Sequence, residues 1–600
     1  MPTSTDDHSP ASVGVLFDAT RAERDWAAGR NVWFGYVREV LGHLAVSFDE
    51  LAADDLAIIS DNRLLVVPSV PALSADQVES LSGWVRDGGG LVLCGDPGPL
   101  ADLAGCAGSS AVEEGHVRVA AAEPWGPAPD VALHAFGGVR LSGAATTLAS
   151  WTDDDAAAIT TRSVGRGRVT VFGADLWQSI VRVHQGWPVS EDGTPAFDGT
   201  APVDDGILKC DDGLALSYEL DRAMAPAAGA FAEPFEYKSP IGAASPTFHR
   251  PHGDLWRGLF AAVLFWTAEG AGQPVGWLSY WPYDVPAVAH MSHDSDGNTD
   301  ESARAALSVF AEADVDVTWC FLHPGGYSDE IYGDVVAAGH EAALHYNAMA
   351  ESDIAVWGED YFVEQLEWVR AKSGQRIVSN KNHYTRWEGW HEFYLWCERE
   401  GIELDQTRGP SKQGNTGFSF GSCHLTFPIA DHTERNRPID VLSMPMLAQD
   451  LWLTCAEANR SEFLSQTLAQ HGVAHFLFHG WNIGRWPEVR QAVLDTAAAA
   501  RKVGMPWWTA AEVNAWERGR RQVRIASALV DGGVSVTVFT PSAIANASVL
   551  VAVPGLDPSA AVKVSSDGQA RVAQRHGRSF VELGVDLPSG VSTWELSFGQ

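Results

Sequence analysis

The chain has 600 residues, 46% hydrophobic and 20% charged, which describes a globular protein too long for a single core. Its net charge of −36, from 41 basic and 77 acidic residues, excludes the basic footprint that nucleic acid or an anionic membrane surface requires. Seven scattered cysteines contain no C-x-x-C pair, so neither a disulfide framework nor a cysteine zinc site is expected, and a reducing compartment is.

The stretch Met1 to Val13 is polar and acidic, without the basic and apolar regions of a secretory leader, and residues 1–12 read as a tail. The longest apolar run, Gly258 to Ala268, is too short to span a bilayer, so a cytoplasmic location and no membrane partner are expected. Strand-like runs occur at Val13 to Phe17, Arg63 to Pro68, Gly88 to Gly95 and Gly165 to Gly173, with helices around Val32 to His43 and Ala75 to Asp87. Strands alternating with helices predict a parallel α/β sandwich over 13–185. Its GGGLVLCGD (88–96) and GRGRVTVFGAD (165–175) strands resemble the glutamine-amidotransferase-like fold that accompanies some carbohydrate-active enzymes. Cys94 lies inside a strand pattern and lacks the G-x-C-x-G elbow that exposes a nucleophilic thiol. The domain is therefore read as non-catalytic, serving support or homo-oligomerisation.

Residues 186–282 are rich in Gly, Pro and Asp and read as a connector carrying one helix over 255–268. From 283 to 516 the alternation resumes. Apolar runs at 285–291, 315–321, 341–345, 376–380, 402–404, 438–442 and 473–478 are separated by helical stretches, among them Glu301 to Asp314 and Trp486 to Lys502. This pattern predicts a distorted (β/α) barrel. Over 520–600, short alternating stretches broken by Gly, Asp and Pro predict an antiparallel β-sandwich. The fold class is thus multidomain α/β: an N-terminal parallel α/β sandwich, a central distorted (β/α) barrel and a C-terminal β-sandwich.

In (β/α) barrels the chemistry sits at the C-terminal ends of the strands. Five of the apolar runs end there in His or Asp: at Ser292-His293-Asp294-Ser295-Asp296-Gly297, His345, Asn382-His383, Asp405 (followed by Arg408), and His479. Strand alternation puts Ser292, Asp294 and Asp296 on one side and turns His293 the other way, towards packing. Likewise Glu341, Ala343 and His345 share a face, and His340 is assigned a structural role.

The order and spacing of these stretches resemble the polysaccharide deacetylase family, the NodB-homology fold. Its T-F-D-D-G motif is similar to Ser292–Gly297, with one residue inserted between the acids. Its G-H-E strand is similar to Gly339-His340-Glu341 leading to His345, and its L-x-x-H strand end to Phe476-Leu477-Phe478-His479. Looser likenesses lie at Asn382-His383-Tyr384-Thr385-Arg386-Trp387 and Gly401–Asp405. The resemblance implies a divalent metal, commonly zinc, that activates water against an acyl group. Asp294 would then be the general base, Asp296 and His345 metal ligands, and His479 the general acid. Asp405 would orient a ring nitrogen, or Arg386 would hold the base.

One position departs from the pattern. The family's H-x-x-x-H motif has Met349 at its second histidine, and a thioether is a poor partner for a hard cation. His383 is the expected substitute ligand, with Asn347 a poorer one. Of the 24 tryptophans, several flank these motifs, including Trp277, Trp281, Trp319, Trp390 and Trp486. Trp387 and Trp481 stand nearest a site histidine and are the expected cleft walls for a sugar. The expected function is a metal-dependent hydrolase removing N-acetyl or O-acetyl groups from a carbohydrate or related amide. The alternatives are a non-catalytic saccharide-binding scaffold on a deacetylase fold, and a two-carboxylate glycosidase. The glycosidase would have to recruit Asp405, since Asp294 and Asp296 are too close in sequence to straddle a substrate.

Overall fold

Strands that are apolar at every position must be covered on both faces, and three of the N-terminal strands are of this kind. Val13–Leu16, Leu64–Val67 and Gly90–Cys94 are buried throughout. In the computed structural model, which describes residues 13–56, 63–120, 124–202, 205–226, 244–349, 356–411, 413–565 and 567–599, they form the parallel half of a large sheet. The order there is Phe48–Leu51, Val13–Leu16, Leu64–Val67, Gly90–Cys94 and Gly167–Phe172. The all-parallel sandwich expected from the sequence is corrected beyond this point. The sheet continues antiparallel through Ala157–Val164, Thr146–Trp151, Glu114–Val119 and Leu133–Phe136. Several of these strands mix buried and exposed residues, so no continuous apolar run announces them. Cys94 is buried at the end of its strand, and burial pushes its thiol well above the usual range.

The helix His252–Gly270 packs on the strands Gly90–Cys94 and Gly167–Phe172 and against the helix Leu176–Gln185. Gly90 permits this approach, since a Cβ there would meet Thr267 Cγ2 at 2.6 Å. The connector's helix is thereby part of the first domain's core, with Trp256, Phe260 and Phe265 fully buried.

The central sheet is wholly parallel. Its order is Leu442–Ser443, Leu404–Asp405, Ser379–Asn382, Glu341–Tyr346, Thr318–Leu322, Val288–Asp294, Val473–His479 and Ala448–Gln449. The two-residue edge strands do not pair with each other, so the sheet is a curled half-barrel rather than a closed ring. The C-terminal strands form two antiparallel four-stranded sheets, one of which takes Val275–Leu278 from ahead of the half-barrel. Among the described residues no helix is long and apolar enough to cross a membrane.

A buried ionic chain joins the first domain to the end of the half-barrel. Arg521 Nη1 lies 2.7 Å from Glu39 Oε2, and its Nε lies 2.5 Å from Glu517 Oε1. Arg520 Nε lies 2.5 Å from Glu517 Oε2. Burial works against the Glu517 charge, but the Arg520 and Arg521 guanidinium groups more than offset it and hold the carboxyl below its ordinary range. Arg521→Met strands the buried Glu39 carboxylate and leaves Glu517 with Arg520 alone, and is expected to cost about 3–5 kcal/mol, read as a lower urea midpoint. Glu517, being depressed, contributes fully above the unfolded carboxyl value near 4.3 and loses its contribution as pH falls through its folded value. The acid-unfolding curve of Glu517→Gln should therefore be shallower than that of the parent protein; identical curves would contradict the assignment.

Candidate active site

Parallel pairing carries several strand ends to one rim. Asp294 stands opposite His479 on one side and Cys320 on the other; His345 stands opposite Leu322 and Lys381. Alternation along Val288–Asp294 sends His290, Ser292 and Asp294 to the inner face. There His290 Nε2 meets Gln406 Oε1 at 3.0 Å, and Ser292 Oγ meets His475 Nε2 at 2.8 Å. His293 points the other way. It donates from Nδ1 to the Phe478 carbonyl at 2.9 Å and packs on Trp319, its pKa driven down by burial to about 3. His340 also lies on the Trp319 ring, and its Nδ1 accepts from the Val317 amide.

Asp296 sits two residues past the strand end, in a turn that Ser295 braces by accepting from the Leu322 amide at 2.8 Å and donating to Asn298 at 3.1 Å. Asp296 Oδ1 lies 3.3 Å from His345 Nε2 and 3.3 Å from His383 Nδ1, and the two nitrogens are 3.1 Å apart. Ligands held at about 2.0–2.1 Å around a tetrahedral ion are separated by about 3.3–3.4 Å, so this triangle has the dimensions of one face of such a site. His345 donates from Nδ1 to the Lys381 carbonyl at 2.9 Å, which fixes its tautomer and leaves the Nε2 lone pair facing the triangle. Asp296 Oδ1 is buried without a hydrogen-bond partner. Burial opposes its charge, but His383 and His345 hold the carboxyl well below its usual value. The donor set, one carboxylate and two imidazoles, fits a borderline divalent ion such as zinc.

Two further groups flank the triangle. Asp294 Oδ2 lies 3.6 Å from His345 Nε2, 3.5 Å from Lys381 Nζ and 3.9 Å from His479 Nε2, while its Oδ1 is buried without a partner. Burial raises its pKa, yet His345, Lys381 and His479 together take it below the ordinary value. His479 donates from Nδ1 to Asp450 Oδ2 at 2.5 Å, and Asp450 is itself held by the His479 amide and Asn482. Burial opposes the imidazolium, but Asp450, Asp296 and Asp294 carry its pKa up to about 9.

Lys381 and Asp450 are the residues that sequence reasoning missed. Lys381 carried a signal: it lies two residues before His383, on the same face of the strand by alternation. Asp450 follows a two-residue edge strand with φ +38° and carried none. Arg386 is corrected as the holder of the base. Its guanidinium pairs with Glu388, and Lys381 occupies the place beside Asp294. The turn His383–Thr385, with positive φ at Tyr384 and Thr385, diverts the chain before Arg386. Asp405 orients no ring nitrogen among the described residues. It accepts from Thr407 Oγ1 at 2.7 Å and Asn380 Nδ2 at 3.0 Å, and burial pushes its pKa up to about 6.

Trp387 is corrected as a cleft wall. It is 1% exposed and packs between Arg408, Phe393 and Tyr394. Trp481 is 50% exposed and lies on Gly297, where a Cβ would approach its ring to 3.3 Å. Tyr384, also 50% exposed, lies against the His383 ring with centroids 4.2 Å apart. Asn347 is occupied: its Oδ1 accepts from the Met349 amide and its Nδ2 donates to the His323 carbonyl.

Two other groups of metal-type donors differ from this triangle. His134 has both ring nitrogens at hydrogen-bond distance from carboxylates, 2.7 Å to Asp221 and 2.9 Å to Glu114, which leaves no lone pair to coordinate. At Asp254, Cys423 and His424, burial pushes the thiol well above its usual range, and His424 Nε2 donates to the Gln470 carbonyl.

No protein-family profile matches the chain, and no curated protein matches it. Among solved structures, it is similar to a polysaccharide deacetylase from Mycobacterium smegmatis at 16% identity, covering 40% of this chain and 93% of that one with a TM-score of 0.30. Puue allantoinase is similar at 13% identity over 40% of this chain and 92% of its own, with a TM-score of 0.29. A catalytic mutant of Gan42B, a GH42 beta-galactosidase from G. stearothermophilus, is similar at 16% identity with a TM-score of 0.24, and the match spans only 28% of that enzyme's length.

Dialysis against cobalt should give the visible absorption of a bound tetrahedral ion. Asp296→Asn and His383→Gln are each expected to weaken binding at least tenfold, whereas Arg386→Lys and Asp405→Asn leave the spectrum unchanged. Equal loss in all four variants would contradict the geometry.

Proposed function

We propose that the rim of the half-barrel hydrolyses an acyl group from nitrogen or oxygen on a saccharide or related amide, with a divalent metal, zinc by its donor set, held by Asp296, His345 and His383. One observation carries the reading. A triangle of ligand atoms of tetrahedral dimensions is flanked by a carboxylate and an imidazole: Asp294 Oδ2 lies 3.6 Å from His345 Nε2, and His479 Nε2 lies 3.8 Å from Asp296 Oδ2 and 3.9 Å from Asp294 Oδ2. Pairs of groups whose environments push their pKa values apart define base and acid.

Zinc bound there supplies a Lewis acid for the acyl oxygen and makes water a better nucleophile at neutral pH. Asp294 takes the proton from the attacking water through Oδ2, the oxygen that faces His345 Nε2 and His479 Nε2. Lys381 keeps that carboxylate ionised and fixed in direction. His479 gives its Nε2 proton to the departing nitrogen or oxygen, and Asp450 sets its tautomer and its charge. Trp481 and Tyr384 present aromatic faces at the mouth, suited to the apolar face of a sugar ring. Asp405, the acid a glycosidase would have to recruit, is walled in by Thr407 and Asn380, which disfavours that chemistry. The ordered strand-end motifs that resemble polysaccharide deacetylases support the same reaction class.

Acetate release from N-acetylated and O-acetylated saccharides, assayed with added zinc or cobalt, tests the proposal. Asp294→Asn and His479→Gln should each lower turnover about 10²–10⁴-fold while metal content is retained. Undiminished turnover in Asp294→Asn, or no acyl release from any acetylated saccharide, would contradict it.

A further inference from the structure

A second polar site lies well away from the rim. A cavity of about 60 Å3 opens where the first domain, the helix His252–Gly270, the half-barrel and the C-terminal sandwich meet. His43, Arg257, Tyr280, His424, His471 and His576 are among its walls. A single water needs about 10–15 Å3 of such space, so there is room for about four or five atoms.

Arg257 is 2% exposed, yet its Nε and Nη2 have no hydrogen-bond partner. Those two atoms form one edge of the guanidinium fork, the edge that binds a planar pair of oxygens side-on. Its Nη1 reaches Asp254 Oδ1 at 3.4 Å, and the Tyr36 phenol lies beside the group. The Asp254 oxygens are already satisfied by Ser422 Oγ at 2.7 Å and the Cys423 amide at 2.8 Å. His43 Nδ1 and His576 Nε2 are likewise buried without partners. Burial, aided for His43 by the Arg257 charge, keeps both rings neutral, so each has an N–H to give rather than a charge to neutralise. Arg520, stacked on Tyr280, adds a further unpartnered Nη1 nearby. Unsatisfied buried donors around one cavity define the chemistry of what fills it.

We infer that this cavity is a binding site for a small oxyanion of acetate size, held side-on by the Nε–Nη2 edge of Arg257 and capped by the unpartnered imidazole nitrogens of His43 and His576. The site is independent of the acyl-hydrolase reading, since none of its residues belongs to the rim. Its placement between three parts of the chain means that an anion there ties them together.

The full-length protein supports a direct test, by calorimetric titration with sodium acetate, sodium phosphate and sodium chloride at fixed ionic strength and pH. Acetate should give a single-site isotherm and a saturable rise in the thermal midpoint. Arg257→Lys keeps the charge facing Asp254 but removes the fork edge, and should weaken acetate at least tenfold. Gly258 lines the cavity on the same helix, and a Cβ there meets nothing within 4 Å. Gly258→Leu should therefore fold normally, plug the cavity and abolish the acetate response. Asp296→Asn should leave that response intact. The inference is overturned if none of the three anions binds, if phosphate or chloride binds as tightly as acetate, or if Gly258→Leu binds acetate as the parent does. It is equally overturned if Asp296→Asn removes the binding, which would place the acetate at the rim.

Discussion

The parallel register that sets Asp294 beside His479 is the constraint on which the proposed chemistry depends. Seven consecutive pairs between Val288–Asp294 and Val473–His479 hold these two side chains at adjacent strand ends. A slip of one residue in either strand would turn its end residue to the outer face, where His293 and Phe478 now pack. The proposed acid and base are therefore placed by backbone pairing in the interior of the sheet, not by loops. Only Asp296, two residues beyond its strand, and His383, one residue beyond its own, depend on local turns for their position.

Burial makes this arrangement demanding. Asp294, Lys381 and His345 are almost inaccessible, and a lone charge in such surroundings would neutralise itself. Each charge is instead kept by another: Lys381 beside Asp294, and Asp450 against His479. The ion chain of Glu39, Arg521, Glu517 and Arg520 uses the same principle for a structural purpose, at the junction of two domains. At the Arg257 cavity the balance is incomplete, since donors outnumber acceptors, and that asymmetry separates a place for a ligand from a finished ion pair.

The legible parts of the site were those written in strand periodicity. Asp294, Asp296, His345 and His479 follow apolar runs whose alternation gives their direction, and His383 ends the next strand in the sheet. The outward turn of His293 and the packing of His340 were readable for the same reason. Trp387 and Arg386 were misplaced because closeness in sequence to His383 says nothing about direction across a turn with positive φ at Tyr384 and Thr385. Asp450 escaped because a two-residue strand leaves no pattern to extend. In the first domain, the antiparallel half of the sheet was hidden because strands such as Glu114–Val119 mix polar and apolar residues, with no apolar run to mark them.

Crystals grown with zinc and measured on both sides of the zinc absorption edge test the central claim most directly. The account predicts an anomalous peak bounded by Asp296, His345 and His383, with Asp294 and His479 next to it. A peak at His134 and Asp221 instead, or none at the rim with zinc present in excess, would contradict it.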